Sequence, residues 1–333
     1  MKYQKGLSLV ELMIAITLGL MLMTGIVQLF ISSKDTFKTQ QATSRIQETG
    51  RLAVEFINRD VRMAGFTGFR GRISSITNKI AAISYTNDYA NGVSVIAAAN
   101  AADIAPLNDT NVLVIRGALS GESSALVVPA EAGVFTVELR SSEAGACSGG
   151  ATRYNGLCPD DDLMIADYQK TIVFRPTSIT PSGTTLRIEY AGAWGGDYLN
   201  YEEYFTLGAQ ISAARTVTYF VRNGVSGRPS LFQRINTGQP VELLEGVANI
   251  SVNYNRFASP AVYLDAVDEL DGLWNNLNNP IVSLRIELLI ESIENNILDE
   301  EQTYRFNNQN IAADDFRLRQ VFAATVALRN QLP

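Results

Sequence analysis

Carboxylates are the side chains of this sequence whose grouping is suited to chemistry. Two clusters stand out, namely Asp160, Asp161 and Asp162, and Asp265, Asp268, Glu269 and Asp271. Several oxygens from one loop suit a hard cation such as Ca²⁺, and carboxylate pairs also serve in glycoside hydrolysis. Neither cluster has EF-hand spacing, and an acidic chain offers carboxylate pairs by chance. We therefore interpret both as solvated acidic loops, with calcium binding and hydrolysis as weaker alternatives.

The absence of histidine removes the commonest catalytic and metal-binding arrangements. With His 0 and Cys 2, a Ser-His-Asp triad, a Cys-His dyad, a His-ligated metal and a CxxC…CxxC zinc site are all excluded. The sequence has no GxSxG elbow, P-loop or dinucleotide fingerprint, and Gly65, Gly68 and Gly71 have the wrong spacing to cradle a phosphate. We predict that the chain is not an enzyme and has no cofactor.

The two cysteines, Cys147 and Cys158, lie in a polar, turn-prone stretch over residues 141–162. Two cysteines this close in an exported chain predict one local disulfide in an exposed loop. The alternative is a pair of free, buried thiols.

Charge and aromatic residues suggest contact surfaces more than binding clefts. The chain has 27 Lys+Arg and 34 Asp+Glu, a formal net charge of −7, so it is a poor general nucleic-acid ligand. A local basic patch is favoured as a membrane-proximal or subunit contact over a DNA contact. Trp194 and the aromatic residues near it are equally compatible with a recognition surface and with core. The patch comprises Arg59, Arg62, Arg70 and Arg72, and the aromatic residues are Tyr198, Tyr201, Tyr204 and Phe205.

The elements that carry these residues begin with a basic leader and an apolar segment. Residues 7–31 are almost entirely apolar, and this run is long enough to cross a membrane. Lys2 and Lys5 in residues 1–6 favour an N-terminus in the cytoplasm. Glu11 is the exception, because a carboxylate inside a span usually has a partner. Its other interpretation is a residue favoured by the helix dipole near an N-terminus.

The rest of the chain is predicted to be an amphipathic continuation of that helix and a β-rich head. Apolar residues at helical spacing and the absence of proline before Pro106 extend one helix to about Val61, with a stalk segment over 32–64. Residues 65–333 read as a large antiparallel β-rich head, α+β overall, with a variable middle lobe at about 75–210. The strand-like segments are Val93–Ile96, Val112–Arg116, Val134–Arg140, Thr171–Arg175, Thr185–Tyr190, Thr216–Val221, Ser230–Arg234, Ile250–Tyr254, Ile281–Ile290 and Val321–Arg329.

The leader with its apolar run, KGLSLVEL followed by some twenty apolar residues, resembles the type IV prepilin family. The resemblance implies that a prepilin peptidase cuts after Gly6, that Leu7 becomes the methylated N-terminus, and that Glu11 pairs with the N-terminal amine of a neighbouring subunit. The family more often has Phe or Met at the first mature position, so Leu7 is a mild departure. Removal of Lys2 and Lys5 changes the formal charge from −7 to −9.

Three further segments resemble the PilW family: residues 59–68, 219–254 and 317–330. Relatives often place a Cys where Phe69 stands, so any disulfide formed there in the family is absent here. The resemblance implies a minor pilin of a Gram-negative type IV pilus that acts in initiation or at the tip, and thereby in twitching, adhesion or DNA uptake. Its expected partners are other minor pilins, the major pilin, prepilin peptidase, a large tip adhesin and the inner membrane.

Two alternatives remain open at the level of sequence. The leader does not separate a pilus subunit from the large tip-type pseudopilin of a type II secretion system. An enzyme or binding protein tethered by an uncleaved helix is the second alternative. The expected location is the inner membrane, single-pass with a periplasmic head, and then the fibre.

Overall fold

One helix dominates the N-terminal part of the chain. The computed structural model describes residues 9–68, 75–119, 121–192, 194–196, 199–200, 203–267, 270, 273–274, 276 and 278–331. Helix α1 runs over Leu9–Val61 without interruption, as the uninterrupted apolar and amphipathic pattern predicts. It ends in tight turns, and Gly65 then adopts a φ of +67°, the left-handed conformation that glycine tolerates best.

Twenty strands and three short 3₁₀ helices make up the described part of the head. The 3₁₀ helices are Ala98–Ile104, Ser148–Gly150 and Arg329–Gln331. The first ten strands are β1 (Ser75–Asn78), β2 (Val93–Ala97), β3 (Asn111–Ala118), β4 (Ser124–Ala125), β5 (Val134–Glu138), β6 (Ser142–Glu143), β7 (Arg153–Tyr154), β8 (Leu163–Ala166), β9 (Lys170–Phe174) and β10 (Pro176–Ser182). The others are β11 (Thr185–Tyr190), β12 (Gln210–Asn223), β13 (Pro229–Ile235), β14 (Val241–Glu245), β15 (Val247–Arg256), β16 (Ser259–Asp265), β17 (Ile281–Glu291), β18 (Thr303–Phe306), β19 (Gln309–Ala312) and β20 (Arg319–Ala327).

Strand β12 connects the two halves of the largest sheet. Its first residues pair with β8 and β4, and its later residues pair antiparallel with β3 and β13. Strands β12 and β13 form an antiparallel hairpin whose turn begins at Gly224, directly after Asn223. Pairing between the named strands is antiparallel except for β1 with β9, and an isolated parallel bridge joins Val95 on β2 to Val267.

A second sheet, in the order β16-β15-β17-β20, packs against the helix. The main core lies between α1, this sheet and strands β2, β3, β12 and β13. From the helix it takes Ile46, Ala53, Ile57 and Val61, which recur every four to seven residues on one face. The amphipathic half of the stalk is thus an integral part of the head.

A separate hydrophobic cluster forms the middle lobe. Its members run from Leu119 to Ala213 and include strands β5, β8, β9 and β11. Strands β2 and β3, which the sequence places in the same lobe, contribute Val93 and Leu113 to the main core instead. The lobe boundary at 75–210 stays a prediction.

The predicted fold class is confirmed. All ten strand-like segments of the sequence overlap strands of the structure, and the head is mostly antiparallel. The sequence underestimates β12, which begins at Gln210 rather than Thr216. Apart from Ile211, residues 210–215 are small or polar and have weak strand propensity, and they are strand because β8 and β3 pair with them.

Candidate assembly surfaces on the stalk and the head

The apolar half of α1 is uncovered over residues 9–38, where every residue is exposed. An 18-residue window of this helix has a mean hydropathy of 2.2, enough to qualify as a membrane span by length and composition. Its threonine hydroxyls bond within the helix: Thr17 donates to the Met13 carbonyl at 3.0 Å and Thr24 to the Leu20 carbonyl at 2.8 Å. The segment therefore offers neighbours a surface of apolar side chains with its backbone polar groups already paired.

Glu11 lies in the first described turn of this helix and is exposed. A carboxylate at this position is favoured by the positive end of the helix dipole, and it stands in an otherwise apolar surface. Gly6 and Leu7, the predicted cleavage and methylation residues, lie outside the described residues. Cleavage, methylation and the pairing of Glu11 stay predictions.

Gly50 brings the helix into close contact with the second sheet. A Cβ atom at Gly50 would lie 2.4 Å from the ring of Phe322 on β20. Glycine in a helix interior costs about 1 kcal/mol relative to alanine, so the close approach of the ring explains its presence here. The position follows Ile46 by one turn on the buried face of α1.

A buried carboxylate joins the last turns of the helix to the largest sheet. Tyr219 on β12 donates a 2.7 Å hydrogen bond to Asp60 Oδ2, and Gln233 Nε2 donates to Tyr219 Oη at 2.8 Å. Burial and then the Asp60 carboxylate raise the pKa of Tyr219 above its ordinary value. The phenol therefore remains a neutral donor, which the Asp60 acceptor requires.

The C-terminal residues close over the end of the helix. Asn330 Nδ2 donates to the Ala64 carbonyl at 2.9 Å. With its amide oriented to satisfy both partners, Gln331 accepts from Trp274 Nε1 at 2.9 Å and donates to the Trp274 carbonyl at 3.2 Å. Trp274 fills the space beside Gly65, where a Cβ would lie 2.5 Å from the indole. The last described residues of the chain thus join the C-terminal segment to the end of the helix.

The predicted disulfide between Cys147 and Cys158 is formed, with the Cα atoms 5.7 Å apart. It closes a loop held to the lobe by Asn155, whose side chain accepts from the Arg140 and Ser141 amides at 2.8 and 3.0 Å. The bond therefore constrains one edge of the middle lobe.

The first acidic cluster is occupied by structural contacts. Asp161 accepts from the Cys158 amide at 2.9 Å, and Asp162 accepts from the Arg175 guanidinium at 2.7 Å. Burial raises the pKa of both Asp161 and Asp162, although their hydrogen bonds oppose the shift. The prediction that this cluster is solvated is thus correct only for Asp160, which is exposed.

The second acidic cluster is only partly described. Asp265 accepts from the Val267 amide at 3.0 Å, and Asp268, Glu269 and Asp271 lie outside the described residues. Within the described ranges, no group of three or more His, Cys, Asp or Glu side chains is arranged to hold a metal ion.

Trp194 belongs to the core of the lobe. Its ring centroid lies 4.0 Å from that of Tyr190, and Phe205 is fully buried in the same cluster. Of the two interpretations that the sequence leaves open for this group, the packed core is the one these residues adopt. Tyr198 and Tyr201 lie outside the described residues.

The predicted basic patch is described in part. Arg59 and Arg62 are exposed at the end of α1, and Arg70 and Arg72 lie outside the described residues. The structure brings other arginines to the same place, including Arg329 from the C-terminal segment. Sequence spacing gives no sign of that convergence.

Three residues of this junction were missed by reasoning from sequence. Gly50 carries a usable signal, a small residue on the apolar face of an amphipathic helix. Asp60 carries none, because an acid near the end of a helix reads as solvent-exposed. Asn330 stands in a recognised segment, but nothing local indicates its bond to Ala64.

Comparison with protein families gives two matches. The family described as Type IV Pilus-assembly protein W matches residues 218–330, and the prokaryotic N-terminal methylation motif matches residues 1–27. The first match covers β13 to β20 and the C-terminal closure, together with most of the later half of β12. Comparison with curated proteins and with solved structures gives no match.

Proposed function

We propose, from the premise that the chain is a PilW-type pilin, that it is a minor pilin acting in the initiation or at the tip of a type IV pilus. The observation that carries the proposal is the uncovered apolar half of α1 on a helix whose other half is built into the head core. Such a helix is suited to leave lipid and pack among neighbouring helices while the head stays folded.

The assembly step follows from the chemistry of Glu11. Cleavage after Gly6 would create an α-amine at Leu7, and a carboxylate in an apolar environment gains most from pairing with such a cation. A neighbour's amine at Glu11 would set the axial register between two stalks. Before assembly the stalk would hold the subunit in the inner membrane with the head in the periplasm.

The size of the head supports a position at the start of the fibre. The main core already surrounds one face of α1, and the lobe from Leu119 to Ala213 adds a second hydrophobic cluster. A head with two cores occupies more lateral space than close stacking of many copies allows. The proposed partners are other minor pilins, the major pilin, prepilin peptidase and a large tip adhesin.

The test is to count surface pili by electron microscopy in a non-polar deletion strain and after complementation. Near-complete loss of pili, restored by the wild-type gene, is expected because an initiating subunit is needed before any fibre grows. Normal piliation with lost protein secretion would contradict the proposal and would indicate a pseudopilin.

A further inference from the structure

We propose that a collar of arginines at the junction of stalk and head binds an acidic segment of a neighbouring protein subunit. The identification of that neighbour as a fibre subunit rests on the proposed function, whereas the binding chemistry does not. The arginine collar consists of Arg51, Arg59, Arg62, Arg215 and Arg329.

Two grooves share this collar, and Arg59 and Met63 line both. The larger, with a volume of about 690 Å³, is lined by residues from the last turns of α1 and by Arg329. The smaller, about 190 Å³, lies between the end of α1 and strands β3 and β12, where Arg215 lines it. Residues far apart in sequence thus place cations on both sides of the helix end.

The collar has more positive charge than its surroundings neutralise. Among the described residues, the two grooves are lined by the five collar arginines, the buried Arg116 and two carboxylates, Glu55 and Asp60. Asp60 already accepts the bond from Tyr219. Arg59 Nε lies 3.5 Å from Asp60, yet the Arg59 side chain is 67 % exposed. In an acidic chain, this local excess of cations favours an anionic partner.

Arg215 supplies an independent sign of a missing acceptor. Its Nε atom is buried and has no hydrogen-bond partner within the described part of the chain. A buried donor without an acceptor costs free energy. A carboxylate entering the smaller groove would meet the Arg215 side chain that lines it, and guanidinium and carboxylate groups form charge-assisted bonds.

Lipid headgroups are too far away to be that anion. In one continuous helix with a rise of about 1.5 Å per residue, Arg51 stands about 30 Å beyond Ile31, where the apolar run ends, and Arg59 about 42 Å beyond it. Charges separated by several Debye lengths of about 8 Å are screened at physiological salt. The collar is thus beyond the reach of a membrane that holds the apolar segment.

The composition of the larger groove favours protein over nucleic acid. Leu52, Val54 and Phe56 form a half-buried apolar floor between the arginines, which suits a segment that carries both acidic and apolar side chains. A long polyanion would also meet the rest of a chain with a net charge of −7. A short acidic segment meets only the local field of the collar.

The experiment measures binding of a rhodamine-labelled synthetic peptide of alternating glutamate and leucine to the full chain in detergent micelles, by fluorescence polarisation. The wild-type chain is expected to bind, and Arg59→Glu with Arg62→Glu is expected to weaken binding at least about tenfold. The control double variant is Arg187→Glu with Arg305→Glu, which makes the same change in net charge outside both grooves. Its affinity should stay within about twofold of wild type.

Tryptophan fluorescence checks that each variant is folded, and the neutral pair Arg59→Gln with Arg62→Gln replaces the reversal if that variant does not fold. An equal loss of peptide affinity in the control and collar variants would overturn the proposal, and so would the absence of peptide binding by the wild-type chain. Collar-dependent binding of duplex DNA or of phosphatidylglycerol vesicles without peptide binding would overturn it in favour of those ligands.

Pilus counts separate this proposal from the proposed function. If deletion abolishes pili while the collar variants bind the peptide normally and assemble normally, only the collar proposal fails. If the collar binds as expected but deletion leaves piliation intact, the assignment as an initiating pilin fails and the binding site stands.

Discussion

Tyr219 Oη lies 2.7 Å from Asp60 Oδ2, so the largest sheet of the head is tied by a buried hydrogen bond to the last turns of the stalk helix. Asp60 is 9 % exposed and Tyr219 is fully buried. Two residues 159 positions apart thus fix where the stalk leaves the head.

Loss of one partner of this pair should destabilise the head. Tyr219→Phe leaves the buried Asp60 carboxylate without its best donor, and Asp60→Ala leaves the Tyr219 hydroxyl without the acceptor of its 2.7 Å hydrogen bond. We expect each to lower the free energy of unfolding by about 1–3 kcal/mol, measured by urea denaturation of the full chain in micelles. Asp60→Asn, which keeps an oxygen acceptor, should cost less. An Asn variant as unstable as the Ala variant would contradict the role of the hydrogen bond.

Gly50 should not tolerate alanine, although alanine is the better helix former. The added Cβ would lie 2.4 Å from the Phe322 ring, so Gly50→Ala should destabilise the head by about 1–3 kcal/mol through overpacking. Gly25 lies in the same helix with nothing within 4 Å, and Gly25→Ala is the matched control. Phe322→Leu should recover part of the loss in Gly50→Ala. Equal stability of the two alanine variants would disprove the close contact.

Removal of the disulfide should act on the lobe first. The double variant Cys147→Ala with Cys158→Ala opens the loop between two cysteines that are 11 positions apart. Loop-closure entropy predicts that the free energy of unfolding falls by about 2–3 kcal/mol. Trp194 lies in the lobe core and Trp274 in the main core. Fluorotryptophan incorporation gives a separate fluorine resonance for each, and the Trp194 transition should shift more in urea. A larger shift at Trp274 would refute the assignment of the loop to the lobe.

Acid should remove the contribution that Asp315 makes to the stability of the folded head. Hydrogen bonding to Arg319 lowers the pKa of Asp315 below its ordinary value of 3.8. A carboxyl whose pKa is lower in the folded state than in the unfolded state stabilises the folded state at pH values above the unfolded pKa. This stabilisation is lost as the pH falls through the folded pKa. The stability difference between wild type and Asp315→Asn should therefore be largest near neutral pH and shrink below pH 3.8. Glu300→Gln, at an exposed position, is the control. A difference independent of pH would rule out this linkage.

Glu11 should matter for assembly and not for folding of the head. Both Glu11→Ala and Glu11→Gln remove the charge that would pair with a neighbour's amine. We therefore expect surface pili to be lost while the free energy of unfolding of the head stays unchanged. Gln28→Ala, the other strongly polar position in the apolar run, should leave pilus number unchanged. Gly6→Leu should block maturation, seen as a retained leader on a gel. Wild-type piliation with Glu11→Ala would disprove the register argument.

Local patterns in the sequence determined the elements of this protein. The apolar run without proline specifies a single long helix, and apolar residues at helical spacing specify that its second half is amphipathic. β-branched segments with turn residues between them specify an antiparallel head. The proximity of Cys147 and Cys158 along the chain was enough to predict their bond. These properties depend on residues within a few turns or one loop of each other, so they can be read without knowledge of the rest of the fold.

Only the tertiary structure decided which distant residues meet. Asn330 bonds to Ala64 across 266 positions, Arg215 and Arg329 join Arg59 at one junction, and Asp60 becomes an interior acceptor. Such contacts depend on the order of strands in the sheets and on how the helix crosses them, which periodicity does not encode. Burial also decides the role of single residues. Trp194, for which the sequence left core and recognition surface open, is core, and Asp162 is an ion-pair partner rather than the solvated acid that the sequence suggested.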